Sequence, residues 1–344
     1  MKAVQIVEPG RPLVLRELPR PEPGSGEVRV RVEAAGVCHS DVHYRDGVGS
    51  VAFMPMTPGH EVAGRVDALG AGVDWLQPGE RVALHYLASC RRCDFCIRGQ
   101  EQFCRSVRML GKDMHGGYAE YVVVPAVNAI AVPDGVAAEV AAVMMCSTAT
   151  VFHALRRARA AAGDRVAVFG AGGLGLSAVQ LARIGGAARV YAVDIDREKL
   201  GAAARLGAVP VDPADGLPQE QIHALTDGRG VDIALECAGL ALTQQQALAS
   251  LGVHGRLVLV GITNEPFLTD SYGTVISREL EILGVSDHLR DELVTLMEFA
   301  RQGRLDFDGV IAERLPLDAE KINARLDDLS AFRGRTRSVI VPGL

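Results

Sequence analysis

No run of eighteen apolar residues occurs anywhere in the 344-residue sequence, so nothing in it predicts a membrane-spanning helix. The opening MKAVQIVEPGRPLVL is broken by Pro9, Gly10 and Pro12 before an apolar leader can form, and a cytoplasmic protein is expected. A basic surplus is missing as well. Only 36 Lys and Arg residues stand against 42 Asp and Glu, a net charge of −6, which gives nucleic acid no electrostatic footprint to bind. Cysteine is scarce, with seven in all, and an odd number in a reducing compartment argues against a disulfide framework. The remaining composition, 48% hydrophobic and 23% charged, is that of an ordinary globular chain. Its length exceeds what one core usually organises, so two domains are expected.

Four of the seven cysteines fall in one short stretch, SCRRCDFCIRGQEQFC, at Cys90, Cys93, Cys96 and Cys104. The spacing C-x2-C-x2-C-x7-C lets four thiolates converge on a tetrahedral Zn²⁺ with no open position, the signature of a structural site. Four thiolates on one zinc leave a charge of −2. Arg91, Arg92, Arg98, Arg105 and Arg108, against only Asp94 and Glu101, are expected to offset it. Cys38 keeps different company. In AAGVCHSDVH it is followed by His39, Ser40, Asp41 and His43, a density of polar groups that an apolar core would not hold unpaired. Further on, TPGHEVAGRVDALG sets His60 and Glu61 between Pro58 and Gly64, where a turn would fix the imidazole. Cys237, in LECAG at the end of an apolar strand, reads as a small buried hydrophobe.

From residue 164 the chain runs DRVAVFGAGGLGLSAVQLARIGG, an apolar β-branched run, then Gly170, Gly172 and Gly175 in G-x-G-x-x-G spacing, then a helical pattern. Strand, turn and helix stand in the order a dinucleotide site requires, with glycines that let a pyrophosphate approach backbone amides at a helix N-terminus. A second strand, ARVYAVDID, ends at Asp194, 24 residues beyond Gly170. A carboxylate there pairs with ribose hydroxyls and repels a 2′-phosphate, which favours NAD over NADP. The αβ rhythm continues through VDIALECAG, GRLVLVGI and LEILGV, as in a doubly wound parallel sheet. After about residue 287 the pattern becomes RDELVTLMEFARQGRL, a helix with apolar positions at Leu293, Leu296, Met297 and Ala300.

The segment GHEVAGRVDALG, residues 59–70, is similar to a signature of the zinc-dependent medium-chain alcohol dehydrogenases. The four-cysteine stretch follows at the family's distance, GGYAEYVVVP (116–125) looks like its next block, and the glycine fingerprint comes after. The resemblance implies an α/β fold of two parts. A GroES-like, antiparallel-rich catalytic domain would comprise residues 1–148 and 287–344, and a doubly wound Rossmann coenzyme domain residues 149–286. It implies a catalytic zinc held by Cys38, His60 and Cys146, the last from the match of CSTATVF to a family pattern. Each chain would then hold two zinc ions, one catalytic and one structural.

The same matching assigns roles around that metal. Asp41 would accept a hydrogen bond from the free ring nitrogen of His60, and Glu61 would stand beside the metal. Ser40 would take the proton of the alcohol, with His43 at the far end of a relay through the cofactor ribose. His39, Thr150, Lys199, Val260, Ile262 and an arginine of RGRTRSVIVP would contact NAD; Arg337 fits best by distance to the final strand, with Arg335 its competitor. Ser40, Tyr86 and Ile262 would border the substrate, with Phe53 and Met54. The implied reaction moves a hydride from the carbinol carbon of a primary or secondary, apolar or aromatic alcohol to NAD⁺, giving an aldehyde or ketone, in a homotetramer. A polyol or formaldehyde dehydrogenase shares zinc and NAD and stays open, as does a zinc protein that senses NAD without turnover. A zinc-free quinone reductase of the same fold would lack both cysteine sets.

Overall fold

The computed structural model describes every residue of the chain except Gly49, Gly309, Phe332, Gly334, Arg335 and Thr336. The chain divides into two compact units. The first comprises Met1–Cys146, Leu289–Gly303 and Phe307–Leu344, the second Ser147–His288 with Arg304–Asp306. Arg304–Asp306, within the span expected for the first domain, groups with the second unit.

The first unit is organised around the eleven-residue strand Glu27–Val37. Its sequence alternates, so that Val28, Val30, Val32 and Ala34 are buried while Arg31 faces solvent. On one side it pairs antiparallel with Glu61–Leu69. Two strands share its other edge: Tyr121–Pro125 pairs with residues 27–31, and the C-terminal strand Arg337–Ile340 pairs with residues 35–37. The sheet is completed by Ile311–Leu315, Arg81–Leu84 and Ala129–Ala131. Register fixes the corner that matters for function. Ser338 lies opposite Val37, the residue before Cys38, and Glu61 lies opposite Gly36. Gly36 has to be glycine, because a Cβ there would stand 1.9 Å from the Glu61 carboxylate.

The second unit is a six-stranded parallel sheet in the order Val209–Val211, Arg189–Val193, Arg165–Phe169, Val231–Glu236, Leu251–Leu259, Glu281–Gly284. In sequence terms this is 3-2-1-4-5-6, the doubly wound order expected. Strands of this kind are covered on both faces, and Val166–Phe169 and Ile233–Glu236 are accordingly buried without alternation. The order reverses between Arg165–Phe169 and Val231–Glu236, and the glycine fingerprint leaves from the carboxyl end of the first of these. Gly170 takes φ +95°, and a Cβ on Gly175 would stand 1.8 Å from the Gly170 carbonyl oxygen. The helix Gly173–Ile184 can therefore pack directly on the turn.

One helical run, Ala138–Arg157, is long and apolar enough to cross a membrane by length and composition, although it contains no unbroken apolar run of eighteen residues. Two-thirds of its most apolar window is buried inside the protein, as in a core helix. It is interrupted by a π-helical stretch, Met144–Thr148. The predicted C-terminal helix forms at Arg290–Arg301 and buries Leu293, Leu296 and Met297.

The glycine geometry makes a paired prediction. Gly175→Ala forces the helix off the turn and should cost about 1–3 kcal/mol of stability, the usual size of an overpacking penalty. Gly172→Ala meets nothing within 4 Å and should unfold at the same denaturant concentration as the parent. Guanidinium unfolding of both variants checks this.

Candidate active site and metal centres

Each donor of the proposed catalytic set sits at the end or interruption of an element. Cys38 is the N-cap of the short helix His39–Arg45. His60 immediately precedes the strand Glu61–Leu69. Cys146 lies in the π-helical stretch, a local widening that is often found where a helix presents a functional side chain. The Sγ atoms of Cys38 and Cys146 are 4.0 Å apart, and with a His60 ring nitrogen and a Glu61 carboxylate oxygen they lie within 4.8 Å of one another. Thiolates on a tetrahedral zinc, with Zn–S of about 2.3 Å, are separated by about 3.8 Å. Both ring nitrogens of His60 are buried without a hydrogen-bond partner among the described residues, an expensive arrangement that a bound cation would relieve. On both counts the donors fit zinc.

The charges around this set are closely linked. A hydrogen bond from the Cys146 thiol, with help from His60, pulls Cys38 well below the ordinary thiol range. The same contact, with burial, pushes Cys146 well above it. Burial works to lower His60, but Asp41 and Cys38 outweigh it and raise the imidazole well above its usual value. Asp41 is 3.5 Å from His60 Nδ1, an ion-pair distance and not the hydrogen bond expected. Its carboxylate is occupied instead: Oδ2 accepts from the Cys38 amide at 3.0 Å and the Tyr118 hydroxyl at 2.9 Å, and Oδ1 from the Gly59 amide at 3.3 Å. Tyr118 was within reach of sequence reasoning only as part of the GGYAEYVVVP block, and its role was missed.

Arg337 provides a second departure. Expected at the cofactor pyrophosphate, its guanidinium is buried and donates to the Glu61 carboxylate. Burial pushes the Glu61 carboxyl up to about 7, and Arg337 pulls against that. Arg335 lies outside the described residues. Ser40 places its hydroxyl 3.8 Å from Cys38 Sγ. The rings of His39 and His43 are 5.0 Å apart on the same helix, and burial and then His43 hold His39 below the ordinary histidine value. Tyr86 is buried with its ring edge-on to His60, centroids 5.3 Å apart. Phe53 and Met54 are exposed, and Phe53 stands edge-on to His115.

The four sulfurs of Cys90, Cys93, Cys96 and Cys104 also converge within 4.8 Å, with 4.0 Å between Cys90 and Cys96 and 3.5 Å between Cys93 and Cys96. The arginines do less here than expected. Arg98 and Arg105 both bind Asp94 and lie over the Phe95 ring. Negative sulfur is stabilised mainly by backbone N–H groups: those of Arg92 and Cys93 pull Cys90 down to about 6, and those of Cys96 and Arg105 lower Cys93. Burial, followed by its sulfur neighbours, pushes Cys96 up to about 12. Cys237, expected to be buried, is half-buried, and its thiol is raised above the ordinary range by burial.

In the second unit, Gly172 caps the helix Gly173–Ile184 with open space around it, leaving room for a ligand at the amide N-terminus. Asp194 ends the neighbouring strand; its Oδ2 accepts from the Ala171 amide at 2.7 Å and its Oδ1 from the Asp196 amide at 2.9 Å. The carboxylate thus fixes the glycine turn it was expected to accompany. Lys199 reaches to 3.9 Å from Asp196, and Thr150 is half-buried near the start of its helix. Val260 is buried while Ile262 is 71% exposed, an unusual position for isoleucine. Sequence reasoning also passed over Glu236, read only as the neighbour of Cys237. Its buried Oε1 accepts from Ala238 N, Gly239 N and the Thr243 hydroxyl at the switch point of the sheet.

A metal held by four sulfurs should matter to folding and not to chemistry. Cys93→Ser is expected to lower the zinc content from two ions per chain to one and to reduce the melting temperature. Zinc counting and calorimetry on the purified variant check both; melting unchanged from the parent would overturn the structural assignment.

Residues 24–134 match the family described as the alcohol dehydrogenase GroES-like domain, and residues 173–302 the family described as zinc-binding dehydrogenase. An NAD-dependent alcohol dehydrogenase of Sulfurisphaera tokodaii is 33% identical, over 99% of this chain and all of that one. An alcohol dehydrogenase of Geobacillus stearothermophilus is 35% identical over 95% of each. A crystal structure titled as an NAD-dependent alcohol dehydrogenase superposes with a TM-score of 0.92 at 32% identity, covering 99% of both chains. With both family segments matched and likeness at this level across its whole length, the chain belongs to the zinc-dependent medium-chain alcohol dehydrogenase family.

Proposed function

We propose that the protein catalyses the reversible oxidation of a primary or secondary alcohol, apolar or aromatic, to an aldehyde or ketone with NAD⁺ as hydride acceptor. The observation that carries this reading is the convergence of Cys38, His60 and Cys146 beside the hydroxyl of Ser40, with the fourth group within reach, the Glu61 carboxylate, taken by Arg337. Three protein donors leave one position of a tetrahedral metal to a ligand, whereas the four-sulfur site leaves none. Zinc in the first set supplies Lewis acidity toward a hydroxyl or carbonyl oxygen.

The protein's own residues do the rest. Ser40 accepts the proton of the alcohol, and His43, on the same helix face as His39, passes it on toward solvent. Asp41 keeps the His60 ring oriented, and Glu61 with Arg337 keeps a charge-balanced wall beside the donors. His39 is proposed for the cofactor pyrophosphate, while Arg337, expected there, is held by Glu61. In the second unit the amides after Gly170, Gly172 and Gly175 receive the pyrophosphate, while Asp194 and Lys199 bind the adenosine ribose and select NAD. Thr150, Val260 and Ile262 line the nicotinamide site. An exposed isoleucine is a natural surface for a flat ring.

Tyr86, Phe53 and Met54 give the substrate an apolar surround, which favours such alcohols over polyols. The working form is proposed to be a cytoplasmic homotetramer, with light scattering as the check on its mass.

NADH formation is to be followed on primary, secondary, aromatic and polyol alcohols, each with and without a zinc chelator. Turnover on an apolar alcohol, abolished by the chelator, is expected. Cys146→Ser should reduce that turnover by at least about a hundredfold while NAD still binds. NAD binding by the parent with no turnover across the panel would favour a non-catalytic sensor, and normal turnover by the variant would mean that another residue is the third donor.

A further inference from the structure

The loop that carries His60 rests on one aromatic ring. Tyr118 is fully buried, and a Cβ on Gly59 would stand 2.3 Å from its Cδ1 and 2.7 Å from its Cε1, so the ring lies directly against the residue before His60. The backbone on either side is bound to the same loop. Gly116 N donates to Thr57 O at 2.7 Å, Gly117 N to Gly59 O at 2.7 Å and Tyr118 N to Pro58 O at 3.1 Å. Val4 N donates to Tyr118 O, which fixes the far side of the residue to the N-terminal strand Lys2–Gln5.

The hydroxyl makes a more specific contact. It donates to Asp41 Oδ2 at 2.9 Å, with both side chains buried, while the other oxygen of the same carboxylate lies 3.5 Å from His60 Nδ1. A carboxylate turns about a soft terminal torsion. Two donors, Tyr118 and the Cys38 amide, hold Oδ2, and with the weaker contact from the Gly59 amide to Oδ1 they set where Oδ1 points.

We infer that Tyr118 is a positioning residue for the catalytic zinc: its hydroxyl locks Asp41 so that Asp41 can fix the tautomer and direction of the His60 ring. The inference rests on the zinc reading of the Cys38, His60 and Cys146 set. Outer partners of this kind are worth about 10- to 100-fold in metal affinity, because an unlocked ring must be ordered when the metal binds. Removing the hydroxyl leaves Oδ2 with the Cys38 amide alone and Oδ1 with the long contact from the Gly59 amide at 3.3 Å, so Asp41 is held less firmly against His60.

The test is zinc affinity by chelator competition on the full-length protein. Far-UV circular dichroism of each sample checks that the chain is folded. Tyr118→Phe keeps the ring against Gly59 and should release the weaker-held zinc at about tenfold lower chelator. In an Asp41→Asn background the same change should have no further effect, because its route to the metal is already cut. The visible spectrum of the cobalt-loaded Tyr118→Phe protein should differ from the parent's, a signature that loosened packing elsewhere would not produce. Should Tyr118→Phe fail to fold, a fluorotyrosine at 118, a stronger donor of the same shape, is expected to hold zinc at least as tightly as the parent. Affinity within twofold of the parent in Tyr118→Phe, equal losses in both backgrounds, or weaker binding by the fluorotyrosine protein would overturn the inference. A parent that binds only one zinc would instead overturn the metal reading beneath it.

Discussion

The buried ion pair between Glu61 and Arg337 is the contact on which the catalytic corner depends. The two residues are 276 positions apart, and both are shut away from water. Neither charge would be tolerated there alone: losing one partner of a buried pair typically costs about 3–5 kcal/mol, because the other is left uncompensated. The pair thus fastens the C-terminal strand to the strand that follows His60. Through the pairing of Ser338 with Val37 it also fixes the approach to Cys38. Gly36 is part of the same arrangement, since only a residue without a side chain leaves room for the Glu61 carboxylate over the sheet.

The two sulfur sites manage negative charge in different ways. In the four-cysteine loop the stabilisation is local. Amides of Arg92, Cys93, Cys96 and Arg105, all within the same short stretch, point at sulfur, and the loop needs little from the remainder of the chain to hold its charge. In the other set the donors come from a helix cap, a strand entrance and a π-helical turn, and the balancing groups come from further still. A site assembled from distant segments keeps its shape only while the whole unit is folded. That suits a metal that must keep one position available, because the gap is set by the scaffold and not by the flexibility of a loop.

Much of this was legible in the chain itself. Short-range patterns survive into the structure wherever the physics is local: the spacing of Cys90, Cys93, Cys96 and Cys104, the glycines of the turn after Phe169, and the 3.6-residue period of Leu293, Leu296 and Met297. Two domains followed from the length of the chain, and the parallel sheet from the alternation of strand and helix. Less legible were partners chosen by packing. Arg98 and Arg105 had Asp94 within reach and took it in preference to the sulfur cluster, as a direct ion pair outweighs a diffuse field. Tyr118 carries no spacing that marks it, since it acts through a hydrogen bond to Asp41, 77 positions away, and Glu236 fits no familiar spacing although the turn it binds follows it directly.

The sequence by itself determined the four-cysteine loop and the glycine-rich turn with its trailing acid, because residue type and short spacing are enough to specify ligand chemistry and local backbone shape; Cys38, His60 and Cys146, spread along the chain, were joined only by the family resemblance. Only the tertiary structure decided that Arg337 would sit on Glu61, that Asp41 would be held by Tyr118, and that a π-helical turn would swing Cys146 to 4.0 Å from Cys38. Those outcomes depend on strand register and on which buried charges can find one another, and both are settled only when segments remote in the chain come to share one interior.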